Sequence, residues 1–478
     1  MVVPAASMQS SHLSRRQYNV EGVPGRTHHP DLILQLSPWL DRLHRDASIL
    51  LPMHEAHSRQ PGTGYLHLLR HNRSFRLLWY GQFVSQLGDW FDSIALFALL
   101  LRLTHSGTAI GLLLVAQFLP SAVVGLWAGV VVDRLSRKTV MIAADIGRAV
   151  LVLLFLLIRS PETIWLAYAV SALKFMLGAF FEPARSAAIP SVVSGADLIA
   201  ANAISGITWS AMLAIGAALG GIAVGTLGTS GAFLIDAASF VLSAFFILRV
   251  PIPRRSVRQV GSRPLDELRE AAHFLRGERQ IALVTLAKGL WSAGGGVLVL
   301  LSLYGRELFP WGVDGALSIG LLYAARGLGA GAGPLLAQRV GGSSGRFLRR
   351  AIAPSFILTA LGYAFYGAAP ALWLAALAVV IAHMGGATEW VYSSALIQMQ
   401  VPDRLLGRVF AIEYVAFTLM TSLSSYVIGK AHDLGIGART LALALAAIFV
   451  LASIPLWALW RNDNAAASTC ADVADVAP

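Results

Sequence analysis

The stretch Gly129-Val-Val-Val-Asp133-Arg134-Leu-Ser-Arg137-Lys138 places one carboxylate and three cations between two long apolar runs. The preceding run, 110–132, contains no ionisable residue, and the following run, 139–158, contains only two. About 20 apolar residues in a helix cover roughly 30 Å of hydrocarbon, so each run is long enough to cross a bilayer. The charged stretch is too short to form a domain. We therefore predict a tight helical hairpin at a membrane surface.

The composition supports a membrane protein. Of 478 residues, 56% are hydrophobic and 13% are charged, and the mean hydropathy is +0.64. Soluble domains have about 25% charged residues. The net charge of +11 could attract nucleic acid, but the cations lie in short loops between apolar runs, as the positive-inside rule describes. We expect a lipid bilayer, and no nucleic acid, as partner. The single Cys470 allows no intrachain disulfide, and we expect no cleavable signal peptide.

Twelve apolar runs follow one another along the chain. They cover 75–101, 108–132, 139–158, 163–183, 202–227, 231–249, 281–304, 314–338, 350–368, 371–395, 408–431 and 438–460. The predicted fold is all-α, with twelve transmembrane helices. Its predicted parts are a polar, disordered cytoplasmic tail (1–65), two six-helix units (66–249 and 281–460), a linker with a short amphipathic helix (250–280) and a disordered tail (461–478).

The distribution of Lys and Arg predicts the orientation. Loops are numbered by the span that precedes them. The even-numbered loops carry 18 of these residues, and the odd-numbered loops with the adjoining span ends carry about five. Because cations accumulate on the cytoplasmic side, we expect both termini and the 250–280 linker to be cytoplasmic in a multi-pass protein of the inner membrane.

The two units repeat with an offset of about 207 residues. The tetrad Ile110-Gly111-Leu112-Leu113 falls on Ile319-Gly320-Leu321-Leu322, and the segment Gly178 to Glu182 falls on Gly385 to Glu389. Two pseudo-symmetric six-helix bundles are a transporter architecture, with the substrate site at their interface near the middle of the membrane.

The Asp133 stretch resembles the signature of the major facilitator superfamily: a Gly, three residues, Asp-Arg and a basic pair between the second and third spans. Ser136 stands where the pattern prefers Gly. Further stretches resemble the subgroup that contains the enterobactin exporter and the transmembrane secretion effector proteins, namely Leu87-Gly88-Asp89-Trp90-Phe91, Phe181-Glu182-Pro183-Ala184-Arg185, Ala201-Asn202-Ala203, Val401-Pro402-Asp403 and Leu406-Gly407-Arg408-Val409-Phe410. The resemblance covers about Leu66 to Trp460. It implies the fold of that superfamily and export activity.

The resemblance also implies a cytoplasmic latch, in which Asp133 pairs with a neighbouring helix start or an arginine and holds the outward-facing state. The latch comprises Gly129, Asp133, Arg134, Arg137 and Lys138. A helix N-terminus or a guanidinium favours such a carboxylate. The alternative is a solvated loop whose cations only set the topology.

Four more residues lie near the predicted cytoplasmic ends of spans four, ten and eleven. Glu182 and Glu389 occupy matching repeat positions, and we expect them to pair with loop cations such as Arg185, Arg346 or Arg408 in a gate. The alternative for the two glutamates is substrate contact.

Span one carries Gln82, Gln86 and Asp89 on one face, with Asp92 one turn beyond. A carboxylate inside the membrane is costly and should face a cavity, pair with a cation or carry a proton. We predict Asp89, with Asp92 as a second candidate, to couple transport to protons. The alternative for Asp89 is a structural ion pair or a contact near the outer rim.

Three cations lie within apolar runs: Lys174, Lys288 and Arg326. As cavity residues, together with Gln82 and Gln86, they would suit an anionic or polyphenolic cargo. The alternative is that they only pair with Asp89, Asp92 or Asp236. His383 is a weaker candidate for a proton carrier, since a lone His in an apolar helix is usually a packing residue.

Two glycine clusters stand out. Gly294-Gly295-Gly296 should bend span seven, because glycine disfavours a helix by roughly 1 kcal/mol per residue. The cluster Gly216-Ala217-Ala218-Leu219-Gly220-Gly221 resembles the antiporter motif of the superfamily, with Ala217 in place of Pro, which weakens the prediction of antiport.

The sequence shows no Walker loop, zinc-ligand spacing or nucleophile elbow, so we expect no enzyme activity, cofactor or metal. We predict a monomeric, proton-coupled exporter of a small organic molecule, such as a siderophore or drug-like compound, that works by alternating access. The alternatives are an uncoupled facilitator or importer and a membrane sensor that transports nothing.

Overall fold

A computed structural model describes residues 65–193, 197–252, 264–341, 344–457 and 459. The predicted tails, 1–65 apart from Tyr65 and 461–478, lie outside these residues, as does the 253–263 part of the linker. The side chains of Asp133 and Arg134 are also outside the described set, so the arrangement of the predicted latch is not described.

The first half of the described chain is helical. Its helices are α1 (Tyr65–His71), α2 (Arg73–Thr104), α3 (Gly107–Arg134), α4 (Arg137–Leu154), α5 (Trp165–Val192), α6 (Leu198–Ala211) and α7 (Ala217–Leu248). A π-helical turn, Met212–Gly216, joins α6 to α7, and 3₁₀ turns lie at Phe155–Leu157 and Pro161–Thr163. Apolar segments take this form because a helix satisfies its own backbone hydrogen bonds where no water is present.

The second half is helical in the same way. Its helices are α8 (Pro264–Gly277), α9 (Arg279–Ser292), α10 (Val297–Leu303), α11 (Ala316–Gly341), α12 (Gly345–Ala368), α13 (Leu372–Gln400), α14 (Asp403–Asp433) and α15 (Ala438–Leu456). A π-helical turn covers Tyr304–Leu308, and a 3₁₀ turn covers Val313–Gly315. Helix α8 lies within the predicted linker.

Ten helical segments of the described chain are long and apolar enough to cross a membrane. One of them, Ala200–Leu248, has 49 residues, or about 74 Å of helix, which exceeds the hydrocarbon core of a bilayer twofold. Gly228 breaks it with a φ of 70° and a ψ of 175°. Helix α11, with 26 residues, is not among the ten. The predicted count of twelve requires that Ala200–Leu248 crosses twice and α11 once, and it stays a prediction.

Packing divides the helices between two halves. In the first half α2 lies against α7, α3 against α5, and α4 against both α5 and α7. In the second half α12 packs on α13 and α15, α11 on α13, and α9 on α14. The halves meet mainly where α3 contacts α14 and α7 contacts α11.

Glycines allow the two halves to touch at one end of the helices. A Cβ atom added at Gly111 of α3 would lie 2.6 Å from the Ser425 carbonyl oxygen of α14. One added at Gly221 of α7 would lie 2.7 Å from the Ala316 carbonyl oxygen of α11. Such backbone contacts leave no room for a passage between the halves there. We call this the closed end.

One predicted helix end differs from the structure. The predicted fourth span ends at 183, but α5 continues through Pro183 and Pro190 to Val192. Burial of Ala184, Ala188 and Ile189 accounts for this, since packing compensates for the missing prolyl N–H donors.

The three glycines 294–296 form the turn between Ser292, where α9 ends, and Val297, where α10 begins. Added Cβ atoms at Gly294 and Gly295 would clash with Phe449 and Thr421, so these positions are also tightly packed. The α-helix is therefore interrupted at the predicted position, and its motion as a hinge stays a prediction.

Candidate functional site

A cavity of about 1700 Å³ lies between the two halves. Its wall includes residues of both halves that the sequence singled out, namely Gln82, Gln86, Asp89, Lys174 and Arg326. It reaches Glu182, Arg185 and Arg408, the residues expected near the cytoplasmic surface. We call this the open end of the molecule.

Lys174 of α5 is shared by three carboxylates. Its Nζ lies 2.8 Å from Asp89 Oδ1, 2.6 Å from Asp92 Oδ2 and 3.2 Å from Asp236 Oδ2. Asp89 and Asp92 come from α2 and Asp236 from α7. The side chains of Asp92 and Asp236 are 3% and 0% exposed, whereas that of Asp89 is 37% exposed. Asp89 is therefore the member of this cluster that water in the cavity can reach.

The three carboxylates bring oxygens within 4.8 Å of one another, a spacing that could hold a metal ion. Lys174 Nζ already contacts all three groups, so the lysine supplies the cation. One lysine does not neutralise three ionised carboxylates. Because uncompensated buried charge is expensive, this cluster favours binding at least one proton.

A second charged pair in the first half was not singled out from the sequence. Arg148 donates a short hydrogen bond to Asp145, and Ser243 Oγ donates to the other oxygen of Asp145 at 2.7 Å. The guanidinium also stacks on Phe181 and Phe240, 4.6 and 4.3 Å from the ring centroids. Arg148 lines the cavity, but its charge is already paired. The sequence does contain a signal for this ion pair, namely two opposite charges three residues apart inside an apolar run.

Lys288 requires a correction, because it does not line the described cavity. Its Nζ lies 2.9 Å from Glu413 Oε2 and 2.6 Å from Ser394 Oγ, and it stands 4.4 Å from the centroid of the Trp390 ring. Glu413 was not singled out from the sequence. Lys288 thus forms a buried ion pair between helices of the second half, which matches the alternative of pairing but with a different acid.

Glu389 was expected to pair with loop cations, and this too is corrected. Its side chain is buried, and among the described residues neither carboxyl oxygen has a hydrogen-bond partner. Its charged neighbours are Lys288 and Glu413, inside the second half. The error arose because the predicted span ended at 395, whereas α13 continues to Gln400. Glu389 therefore lies further from the end of its helix than the sequence suggested.

At the open end, Glu182 pairs with Arg185 at 2.9 Å, and Arg185 donates to Gln82 Oε1 at 2.9 Å. Arg408 pairs with Glu270 of α8, so the linker helix contacts the second half here.

The described latch cations stay within the first half. Arg137 donates to the Ala187 carbonyl oxygen at 2.7 Å, and Lys138 donates to that of Leu248 at 2.6 Å. Both cations thereby satisfy carbonyl groups near helix C-termini. Their partners are in α5 and at the end of α7.

Sequence reasoning missed the polar contacts that join the halves at the closed end. Asp433, the last residue of α14, accepts hydrogen bonds from Ser106 Oγ, Gly107 N and Thr108 N at 2.5, 2.7 and 3.1 Å. It thus caps the N-terminus of α3, where a negative charge is favoured. Arg102 also reaches Asp314 across the halves, at 3.1 Å. Short loops with few charges gave no signal for this pairing.

His383 packs in the second half with both ring nitrogens engaged. Nδ1 lies 3.1 Å from the Val379 carbonyl oxygen and Nε2 lies 3.4 Å from the Tyr363 hydroxyl. These contacts correspond to a packing role.

Comparison with known proteins points to one family. The family model described as Major Facilitator Superfamily matches residues 78–412. The enterobactin exporter EntS of Citrobacter koseri is 28% identical over 358 residues, which cover 74% of this chain and 83% of that protein. EntS of Salmonella typhi is 28% identical over 381 residues, covering 74% and 84%. The uncharacterized MFS-type transporter YfiS of Bacillus subtilis is 27% identical over 214 residues, 44% of this chain and 51% of YfiS.

Solved structures agree in fold. A POT family transporter in complex with a thioalcohol-conjugated peptide matches with a TM-score of 0.66 at 12% identity, covering 82% of this chain and 96% of that one. The nucleoside transporter NupG matches with a TM-score of 0.62 at 15% identity, covering 81% and 99%. These similarities confirm the predicted resemblance and the all-helical membrane fold.

Proposed function

We propose that this chain, which belongs to the Major Facilitator Superfamily, exports a small organic molecule across the inner membrane in exchange for protons. As a superfamily member with transporter relatives, the chain is a multi-pass membrane transporter and not an enzyme. Relatives named enterobactin exporters support export and suggest a siderophore or a drug-like compound of similar size as cargo.

The observation that carries proton coupling is the cluster around Lys174. Three carboxylates share one ammonium group, and Asp89 is exposed to the cavity while its two partners are buried. A proton bound at Asp89 weakens its attraction to Lys174, and loss of that proton restores the pair. The cluster can therefore exist in two charge states that favour different arrangements of α2 and α5.

The difference between the two ends of the cavity suggests how alternating access would work. The halves are in backbone contact at the closed end and apart at the open end. Rocking the halves would exchange these conditions and expose Asp89 to the opposite side. In the reverse state, Asp133 would form the latch that its family signature implies.

The orientation belongs to the same proposal. With 18 Lys and Arg residues in the even-numbered loops against about five in the others, the open end faces the cytoplasm, and both termini lie on that side. We propose a monomer, since each bundle of one chain supplies one wall of the cavity.

Everted membrane vesicles test the proposal, with enterobactin as the first cargo because the relatives' name suggests it. We expect cargo to accumulate inside energised vesicles and the accumulation to collapse when an ionophore removes the proton gradient. Asp89→Asn should abolish uphill accumulation yet retain exchange of labelled for unlabelled cargo. Glu162→Gln, which alters an exposed acid in the Pro161–Thr163 turn outside the cluster, is the control and should retain uphill transport.

Three outcomes would contradict parts of the proposal. Accumulation that survives collapse of the gradient would exclude proton antiport and favour an uncoupled facilitator. Full uphill transport by Asp89→Asn would remove Asp89 from coupling. Absence of flux for enterobactin and for every compound that a deletion strain fails to secrete would favour a sensor.

A further inference from the structure

The cations that line the cavity differ in how their charge is balanced. Four of them have a carboxylate partner: Arg148 with Asp145, Lys174 with three aspartates, Arg185 with Glu182 and Arg408 with Glu270. The fifth is Arg326 of α11. Among the described residues, no carboxylate lies within ion-pair distance of Arg326, and none accepts a hydrogen bond from its guanidinium.

The immediate surroundings of Arg326 supply no negative charge within the described part of the chain. Its titratable neighbours are Tyr323, Tyr363 and His383, which are not anions at neutral pH. The Tyr323 hydroxyl donates to the Leu298 carbonyl oxygen at 2.8 Å, so it is already engaged. Arg326 lies near the middle of α11, is partly exposed to the cavity, and has no described carboxylate to balance its charge. An anion bound from the cavity would balance it.

We propose that Arg326 is the anion-binding residue of the cavity and that the cargo is an organic anion with a planar oxyanion such as a carboxylate. A guanidinium presents two parallel N–H donors that match the two oxygens of a carboxylate. This inference rests on the proposed transport function and adds the chemical class of the cargo.

The cavity wall beside Arg326 is aromatic. Tyr323 stacks on Phe97 with ring centroids 5.3 Å apart and tilts against Trp90 at 5.9 Å. Trp291 and Trp390, which also line the cavity, form an edge-to-face pair at 6.2 Å. Such rings favour a flat apolar body. The cargo class is accordingly an aromatic carboxylate or a larger molecule that carries this group.

The opposite wall is unsuited to an anion. The Lys174 cluster contains more carboxylates than cations, so it would repel a second negative group. The two cavity walls thus have different roles. The first half exchanges protons at Asp89, and the second half holds the anion at Arg326.

The test uses the purified full-length protein in detergent and two probes of similar shape, the anion naphthalene-2-carboxylate and the neutral naphthalene-2-carboxamide. Quenching of tryptophan fluorescence reports binding, because several tryptophans line the cavity. We expect the carboxylate to bind about 10-fold more tightly than the amide, or about 1.4 kcal/mol. Arg326→Gln should abolish this preference, and Arg326→Lys should retain part of it.

Arg159→Gln is the control, since it removes an exposed cation that does not line the cavity. It should retain the preference for the carboxylate. The melting temperature of Arg326→Gln should not fall below that of the parent, because no ion pair with a described residue is lost, so misfolding is distinguishable from loss of binding.

A preference that persists in Arg326→Gln would overturn the inference, and so would absence of binding by both probes in the parent. The measurement needs neither a membrane nor a gradient. Failure of proton-coupled export in vesicles would therefore leave a positive binding result standing, and a negative binding result would leave export standing.

Discussion

At the scale of single residues, Lys288 and its two glutamates show how the second half balances buried charge. Glu413 contacts Lys288 directly, whereas both carboxyl oxygens of Glu389 are buried without a hydrogen-bond partner among the described residues. One cation cannot stabilise two buried carboxylates at no cost. We infer that Glu413 is the ionised partner and that Glu389 carries a proton.

This inference predicts opposite effects of two similar substitutions. Glu413→Gln leaves Lys288 without its counter-ion, which should lower the free energy of unfolding by about 3–5 kcal/mol. Glu389→Gln replaces a neutral carboxyl group by an amide of the same shape and should change it by less than about 1 kcal/mol. Thermal or denaturant unfolding in detergent, followed by tryptophan fluorescence, measures both. A larger loss in Glu389→Gln than in Glu413→Gln would reverse the assignment.

The sequence singled out several of these charged residues, and for Lys174 it named the three aspartate partners only in the alternative interpretation. An ionisable residue inside an apolar run is conspicuous, so Asp89, Lys174 and Arg326 could be identified from the sequence alone. Their pairings depend on which helix faces lie together, and residues 62 or 82 positions apart give no local signal of contact. For the same reason Glu389 was placed at a gate and Lys288 in the cavity wall.

At the scale of helices, the contact of α7 with α11 depends on the absence of a side chain. A Cβ added at Gly221 would lie 2.7 Å from the Ala316 carbonyl oxygen, and one added at Gly320 would lie 2.7 Å from that of Ala217. The predicted antiporter-like motif ends at Gly221. In this chain, its last glycine contributes to the closed end directly through packing.

We predict that Gly221→Ala shifts the molecule away from the state with the closed end. A methyl group at 2.7 Å from a carbonyl oxygen forces α7 and α11 apart. A cysteine at Ser106 should then react faster with a maleimide added from the outer side than it does in the parent. Gly225→Ala lies one turn further along the same helix, where the nearest atom is 3.8 Å away, and it is the matched control. Equal reactivity in the two variants would contradict this prediction.

Helix positions were predicted better than helix ends. Length and hydropathy indicate a span, but Pro183 suggested an end that tertiary packing overrides. Helix α14 likewise begins at Asp403, five residues before the predicted run. Both extensions lie at the open end. They lengthen the walls of the cavity beyond what an apolar run alone predicts.

At the scale of the whole molecule, the internal repeat was sufficient to predict two helical bundles with a cavity between them. The sequence did not indicate which end is closed, because that depends on contacts between the halves. These contacts include the Asp433 cap on α3 and the ion pair of Arg102 with Asp314. A cap across the halves forms only in one arrangement of the bundles, so it belongs to a single state of the transport cycle.

The closed end can be tested by joining the halves covalently. Ser106 Oγ lies 2.5 Å from Asp433 Oδ2, so the two residues are neighbours in this state and we expect cysteines at both positions to cross-link. In a Cys470→Ser background, oxidation of the double variant should form a disulfide between the two introduced cysteines, which mass spectrometry of the linked peptide identifies.

If transport requires the halves to separate at this end, the oxidised protein should lose transport and dithiothreitol should restore it. Each single-cysteine variant is a control and should be insensitive to the oxidant. Undiminished transport by the cross-linked protein would mean that cargo leaves without opening this end, because the bond fixes one of the contacts that alternating access must break.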